Sequence, residues 1–211
     1  MIEKALTKEV VKAIYSLINT DLNVSNISLH EPDFKFTNSL KYINECLETG
    51  WVSSTGKWVD RFEEELRDYT GAKHAIAVTN GTNALRLSLY LVGVKSEEEV
   101  IIPPLSFVAT ANAISHLGAT PHFVDIDPNT LGMCPNALNN RLEKIAKKLN
   151  GKTYNRETSK RIAAIVPVHV FGIPSKIIDL KKIADDWNIP LVEDAAEALG
   201  SWVNVKKNFI H

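Results

Sequence analysis

The sequence predicts an α/β protein with a mostly parallel sheet and helices on both of its faces. Beyond residue 70, short runs rich in β-branched residues alternate with helical stretches, which is the pattern of consecutive βαβ units. The 211 residues are 45% hydrophobic and 23% charged, close to the averages for soluble globular proteins. A chain of this length buries roughly 70% of its unfolded surface, which is enough for a substantial core.

Helices are predicted before the sheet begins. Apolar residues recur every three or four positions within the first thirty residues. The two following helices end before Gly50 and Gly71, because glycine is the usual residue after a helix. The three predicted helices lie within residues 1–30, at about 39–47 and at about 56–69.

Five strand candidates follow, and helices separate most of them. The lysine-rich stretch 141–160 is predicted to be a solvated helix and loop, with a phosphate-binding patch as the lesser alternative. Further helices are predicted up to Leu91, at 109–116 and at 179–187. The strand candidates are 75–79, 100–103, 121–125, 161–166 and 190–194.

Charge, cysteine content and hydropathy exclude several classes of protein. The 24 basic and 25 acidic residues nearly cancel, so we expect no nucleic-acid or membrane partner. Cys46 and Cys134 lie far apart, which gives no zinc or redox motif, and we assign no metal site. The chain starts without the apolar segment of a secretory signal, and its longest apolar run, 162–168, is too short to span a membrane. A cytoplasmic location is therefore expected.

The carboxyl ends of the strands are where ligands bind in open parallel sheets. After the first strand candidate, Gly81 permits a tight turn, and Thr82 and Asn83 open a helix whose free N–H groups could hold a phosphate. An ordinary capped helix is the alternative. No Gly-x-Gly-x-x-Gly motif is present, which weakens a dinucleotide-binding interpretation.

Two further strand ends carry residues suited to a flat cofactor. Phe107 follows the second strand candidate, where its ring could cover a planar ligand. Glu193 and Asp194 end the fifth, and strand alternation directs them to opposite faces. A buried Asp194 needs a partner, which could be a salt bridge, a helix cap or the protonated ring nitrogen of pyridoxal phosphate (PLP). Together the three strand ends favour a PLP site.

Several motifs occur in an order that is similar to one known family. They are Gly50-Trp-Val-Ser-Ser-Thr-Gly56, Phe62-Glu63, Asn80-Gly-Thr-Asn-Ala-Leu85, Ser106-Phe-Val-Ala-Thr-Ala-Asn-Ala-Ile114, Gly118-Ala-Thr-Pro121, Val124-Asp-Ile-Asp127, Val168-His-Val-Phe-Gly172 and Val192-Glu-Asp-Ala-Ala-Glu-Ala-Leu-Gly-Ser201. From about residue 29 onward the sequence resembles the DegT/DnrJ/EryC1/StrS sugar aminotransferases. Leu29-His-Glu-Pro32 with Gly50-Trp-Val-Ser-Ser54 is most similar to the LegC branch, whose members aminate a UDP-linked 4-keto-6-deoxy-N-acetylhexosamine.

The resemblance implies a PLP-dependent transferase of fold type I that works as a homodimer. It implies that Phe107 stacks on the cofactor ring, that Asp194 pairs with its nitrogen and that Glu197 lies near its phenolic oxygen. Gly81, Thr82 and Asn83 would bind its phosphate through backbone N–H groups. The loop that contains Trp51, Ser53 and Ser54 would approach the nucleotide-sugar substrate.

The resemblance also implies that this chain stops early. The family's Schiff-base lysine falls beyond His211, so no catalytic residue is assigned here, and Lys206 and Lys207 are expected to be surface residues of a strand or hairpin. Residues 1–30 would form a helical extension and 31–211 an incomplete PLP-binding large domain, truncated before the last strands and the small C-terminal domain. Segment 75–79 would then lose its sheet neighbours, and the strand at 190–194 would become an exposed edge.

The expected function is the N-terminal part of a PLP-dependent sugar aminotransferase, with glutamate as the amino donor and with the isolated chain inactive. A sugar dehydratase of the same family, in which histidine replaces the lysine, is one alternative. A truncated product that binds a full-length partner or has no activity is another. A nucleotide-binding Rossmann domain is the outermost alternative.

Overall fold

The computed structural model describes residues 2–18, 32, 34–205 and 208–210. It divides into two compact units, Met1–Ser53 and Ser54–His211. The predicted boundary between residues 30 and 31 stays a prediction. Lys206 and Lys207, predicted to be surface residues, lie outside the described residues.

The first unit contains two helices, α1 (Ile2–Ile18) and α2 (Ser39–Thr49). Both lie where the sequence predicts them. Gly50 follows α2 with φ 73°, and its N–H donates to the Leu47 carbonyl at 3.4 Å. This left-handed geometry is the reason a glycine ends the helix.

The second unit alternates helices with short strands. A 3-10 turn at Val170–Gly172 precedes its last helix. The helices are α3 (Lys57–Thr70), α4 (Gly81–Leu91), α5 (Val108–Ser115), α6 (Pro135–Ile145) and α7 (Ile177–Asp186). The strands are β1 (Glu99–Ile102), β2 (Thr120–Phe123), β3 (Ala146–Leu149), β4 (Lys152–Asn155), β5 (Ile162–Ile165), β6 (Val203–Val205) and β7 (Asn208–Ile210).

The central sheet has the order β2-β1-β5, and its strands are parallel. Alternation along β1 sends Ile101 into one core and Val100 and Ile102 into another. The first core is built with residues of α6 and α7, the second with residues of α4 and α5. The predicted parallel sheet between two helical layers is therefore confirmed.

The segment 190–194 is not a regular strand, contrary to the sequence prediction. It runs beside β5 in extended form and makes two isolated parallel bridges, Ile165 to Leu191 and Val168 to Asp194. The Val192 N–H donates to the Ile165 carbonyl at 3.0 Å. The bridges are sufficient to fix the position of Asp194 relative to β5.

The segment 75–79 is also not a strand, although its residues have strong strand propensity. Its Ala77 N–H donates to the Glu63 carboxylate at 2.7 Å, and within the described part of the chain no strand pairs with it. Strand propensity is local, whereas a strand exists only when another backbone completes its hydrogen bonds.

The lysine-rich stretch 141–160 was predicted to be a helix and loop, and the loop part of that prediction is wrong. Helix α6 ends at Ile145, and β3 and β4 then form an antiparallel hairpin. Asn150 and Gly151, with φ 50° and 73°, form its two-residue turn. Asn-Gly is the strongest short-range hairpin signal, because both residues tolerate positive φ.

Among the described residues, no helix is long and apolar enough to cross a membrane.

Candidate active site

Asp194 lies at the carboxyl end of the sheet, where its backbone is tied to the segment that follows β5. Its N–H donates to the Pro167 carbonyl at 2.9 Å, and its carbonyl accepts from the His169 N–H at 3.1 Å. Alternation sends the neighbouring Glu193 to the other face, as predicted, where its carboxylate lies 2.9 Å from His169 Nε2. The two adjacent carboxylates therefore lie on opposite faces and have different neighbours.

The Asp194 carboxylate is buried, with 8% of the residue exposed, and has few partners. Thr110 donates its hydroxyl to Oδ2 at 2.8 Å, and the Ala196 N–H donates to Oδ1 at 3.3 Å. Among the described residues, no lysine, arginine or histidine forms an ion pair with it. Because buried charges are normally paired, this carboxylate has capacity for a cation that the described protein atoms do not supply.

An open pocket of about 400 Å³ lies in front of Asp194. That volume falls in the range of small-molecule sites, which combine apolar walls with a few polar groups. Phe107 presents its ring to this space and is 78% exposed. The lining also includes Ser106, His169, Phe171 and Glu197. The structure thus brings together three of the predicted residues: Phe107, Asp194 and Glu197.

The start of α4 does not line this pocket. Asn80 caps the helix by accepting from the Asn83 N–H at 2.9 Å, and the Asn83 side chain donates to Thr79 at 2.7 Å. The cap occupies the Asn83 N–H that the resemblance assigns to phosphate. Gly81 and Thr82 remain as candidate donors, because the first N–H groups of a helix lack partners within it.

Glu197 holds the 3-10 turn that follows the sheet. Its Oε2 accepts from the Phe171 N–H at 2.8 Å. Phe171 has φ 55°, a left-handed conformation that is unfavourable for a bulky residue, and Gly172 beside it has φ 75°. Ser201 donates to the Gly172 carbonyl at 2.7 Å. The predicted role of Glu197 near a phenolic oxygen stays a prediction, since its carboxylate already serves as an anchor for this turn.

Sequence reasoning missed Thr110, Ser106 and His169. Thr110 stands three residues after Phe107 in the first turn of α5, so both residues belong to one short segment. His169 accepts from the Ser175 N–H at Nδ1, 3.0 Å away, so Nε2 carries the proton that faces Glu193. No local signal marks Thr110 as a site residue, because its partner Asp194 lies 84 residues further along the chain.

The three predicted substrate-binding residues fall in different units. Trp51 and Ser53 belong to the first unit and Ser54 to the second. Their predicted contact with a nucleotide sugar stays a prediction.

A family model matches residues 35–208, which is most of the chain. The chain belongs to the DegT/DnrJ/EryC1/StrS aminotransferase family. GDP-perosamine synthase of Vibrio cholerae is 38% identical over 181 residues, which make up 86% of this chain and 45% of that protein. The putative pyridoxal phosphate-dependent aminotransferase EpsN of Bacillus subtilis strain 168 is 37% identical over 160 residues, 76% of this chain and 39% of EpsN.

A solved structure has the same fold. The structure of NtdA from Bacillus subtilis with the bound cofactor PMP aligns with a TM-score of 0.69 and 28% identity, and covers 88% of this chain and 40% of that one. The predicted family and the PLP-transferase fold are confirmed, and PLP is the family's cofactor. The chain spans less than half the length of these relatives.

The residues of the pocket fit this cofactor. A pyridine ring needs an anion beside its protonated nitrogen and an apolar surface for its face. Asp194 is a buried anion without its own cation, and Phe107 is an exposed ring at the same pocket. Among the described residues, none forms an ion pair with Asp194, and Phe107 is exposed at the pocket, so both residues are available to the ring.

Proposed function

We propose that this chain supplies the cofactor-binding part of a PLP-dependent aminotransferase that acts on a nucleotide-linked 4-keto-6-deoxy sugar. The observation that carries the proposal is the buried Asp194 carboxylate, which faces an open pocket and lacks a cation among the described residues. The names of the relatives support a sugar substrate, since one of them is a GDP-perosamine synthase.

Each predicted cofactor-binding residue has a distinct role in this proposal. Asp194 pairs with the protonated ring nitrogen, and Phe107 covers one face of the ring. Gly81 and Thr82 donate backbone N–H groups to the phosphate, with Asn83 contributing once its cap opens. Glu197 supports the turn that borders the ring. The bound cofactor supplies an electron sink for breaking bonds at the amino-bearing carbon.

The amine that would hold the cofactor covalently is proposed to come from outside the described residues. Within the described part of the chain no lysine lines the pocket. Because the family resemblance places the Schiff-base lysine beyond His211, we propose that these 211 residues bind the cofactor without covalent attachment and have no transaminase activity alone. In the whole protein, glutamate would be the amino donor and two copies would form the working unit.

Two different nucleotides are suggested for the sugar substrate. The resemblance to the LegC branch favours a UDP-linked sugar, whereas the Vibrio cholerae relative is named for a GDP-linked product. Trp51, Ser53 and Ser54 are the proposed contacts to it. Competition between UDP- and GDP-sugars for the whole enzyme would distinguish the two.

Binding of pyridoxamine 5′-phosphate (PMP) to the 211-residue chain tests the cofactor site, because PMP needs no lysine. We expect measurable binding in a fluorescence titration, and we expect Asp194→Asn to weaken it by about tenfold or more, since a charge-assisted hydrogen bond is lost. Glu193→Gln is the matched control, because this adjacent carboxylate faces away from the pocket. Equal PMP affinity for the wild type and Asp194→Asn would refute the proposal.

Covalent attachment is tested separately with PLP and borohydride. We expect mass spectrometry of the 211-residue chain to show no reduced cofactor at a defined lysine. A stoichiometric adduct at one lysine would contradict the proposed source of the amine, while leaving the Asp194 site intact.

A further inference from the structure

A chain of two hydroxyl groups runs from the Asp194 carboxylate back to the start of α5. Thr110 Oγ1 lies 2.8 Å from Asp194 Oδ2 and 2.7 Å from Ser106 Oγ. Ser106 Oγ also lies 3.1 Å from the Phe107 carbonyl. Thr110 and Asp194 are both buried, so water does not compete freely for these bonds. The three side chains therefore form one continuous hydrogen-bond relay.

The relay can satisfy the carboxyl group in either of its protonation states. A threonine hydroxyl has a single hydrogen. When Asp194 is ionised, Thr110 donates to it and must accept from Ser106. When Asp194 carries a proton on Oδ2, it donates to Thr110, Thr110 donates to Ser106, and Ser106 donates to the Phe107 carbonyl. In both protonation states every hydroxyl hydrogen has an acceptor. The change from one state to the other requires only that the hydroxyl groups rotate.

The same short segment also sets the position of the aromatic ring. The Thr110 N–H donates to the Phe107 carbonyl at 3.1 Å, which closes the first turn of α5. Phe107 faces the pocket at one end of this turn, and Thr110 holds the carboxylate from within it. This one turn therefore contacts the pocket through Phe107 and the Asp194 carboxylate through Thr110.

We propose that Thr110 is a positioning residue that orients Asp194 toward a cofactor ring nitrogen, and that Ser106 only completes the hydrogen bonds of the Thr110 hydroxyl. This inference rests on the proposed function, since it assigns the task of the relay to the PLP site. The relay keeps a buried carboxyl group ordered while the pocket is empty. It also fixes the direction in which the carboxylate faces the pocket.

The experiment compares Thr110→Val with Thr110→Ser in the 211-residue chain, using PMP as the probe. Valine keeps the shape of threonine and removes the hydroxyl, whereas serine keeps the hydroxyl and removes the methyl group. We expect Thr110→Val to weaken PMP binding about tenfold, in line with the loss of a hydrogen bond to a charged group. Thr110→Ser should restore most of the affinity, and Ser106→Ala should change it only about twofold, because the Thr110–Asp194 bond survives.

The ¹⁵N chemical shift of ring-labelled PMP gives a second measurement that altered packing alone would not move. With the wild type and Thr110→Ser we expect the shift of a protonated ring nitrogen, and with Thr110→Val a shift toward the unprotonated value. Circular dichroism confirms folding of each variant, and Thr110→Ala replaces Thr110→Val if the latter does not fold.

The outcomes separate this inference from the function on which it rests. If Asp194→Asn loses PMP while Thr110→Val keeps wild-type affinity and chemical shift, the relay has no positioning role and the proposed cofactor site stands. If Asp194→Asn binds PMP like the wild type, both proposals fail. Equal losses in Thr110→Val and Thr110→Ser would assign the effect to packing and would overturn the relay.

Discussion

Two buried aspartates near the carboxyl end of the sheet have very different surroundings. Asp127, in the loop after β2, is 5% exposed and accepts from Lys176 at 2.6 Å and from the N–H groups of Asn129 and Thr130 at 2.9 and 3.2 Å. Asp194 is buried to a similar degree, yet its hydrogen bonds come from one hydroxyl and one long backbone contact. The first carboxylate has its own cation and the second does not.

This difference separates a structural carboxylate from a candidate binding group. A buried charge that the fold pairs internally contributes to the native structure and leaves nothing for a ligand. Asp194 faces an open pocket with unused acceptor capacity, which is the arrangement expected where a ligand completes the pairing. Burial alone would have ranked the two aspartates equally.

Glu99, at the amino end of β1, is a third buried carboxylate, and like Asp127 it has its partners within the protein. It is 3% exposed and accepts from Asn155 at 2.9 Å, from Thr158 at 2.5 Å and from His122 Nδ1 at 3.1 Å. The other nitrogen of His122 accepts from Arg141 at 3.0 Å. Every member of this group has a partner within the protein.

Removing Glu99 should give the largest loss of stability. Glu99→Ala leaves the buried amide of Asn155 and the part-buried ring of His122 without their acceptor, and Thr158 loses its carboxylate partner. We therefore expect the free energy of unfolding to fall by about 3 kcal/mol. Urea unfolding measures this loss. Glu97→Ala is the control, because this nearby glutamate is largely exposed and makes one 3.5 Å contact to Lys160. Equal losses in the two variants would mean that the Glu99 group is not the closed structural cluster described above.

Asp194→Asn should change stability much less, although the residue is also buried. The substitution preserves shape, and the Thr110 hydroxyl keeps an acceptor, so we expect the free energy of unfolding without ligand to stay within about 1 kcal/mol of the wild type. With PMP at a hundred times its dissociation constant, the wild type should gain about 2.7 kcal/mol and the variant far less. A large loss of unfolding free energy in Asp194→Asn without ligand would show that Asp194, like Asp127 and Glu99, is a structural carboxylate.

The sequence predicts much of the fold and the position of Asp194, and the part that it misses is non-local. Parallel strands, helical layers and the pocket-facing position of Asp194 follow from local periodicity and from two carboxylates at the end of an apolar run. The segments 75–79 and 190–194 were predicted as strands because propensity does not reveal whether a pairing partner is present. The family resemblance did predict that 75–79 would lose its sheet neighbours, and no strand pairs with it among the described residues. Thr110 was missed because it meets a carboxylate 84 residues further along the chain. The pairing of Asp127 with Lys176 spans 49 residues and is equally invisible to local patterns.

The smallest expected effect is the pH dependence of the Asp127–Lys176 pair. The hydrogen bond from Lys176 is the main cause that lowers the pKa of Asp127 below its ordinary value of 3.8, and the N–H of Asn129 adds to it. The hydrogen bond to Asp127 likewise raises the pKa of Lys176 above 10.5. A lowered carboxyl pKa stabilises the fold above pH 3.8, and this contribution is lost as the pH falls through the folded-state value. The raised lysine pKa stabilises the fold below pH 10.5 and is lost as the pH rises through its folded-state value.

Lys176→Met should therefore be less stable than the wild type near neutral pH, and the difference should shrink as the solution is acidified below pH 3.8. Urea unfolding of both proteins between pH 3 and pH 7 measures the difference. Lys181→Met is the matched control, because Lys181 pairs with Asp185 on the exposed surface of α7. A difference that stayed constant across this range would show that Asp127 is not held ionised by Lys176. The contrast with Asp194 would then lose its electrostatic basis, because neither aspartate would be paired with a cation of the protein.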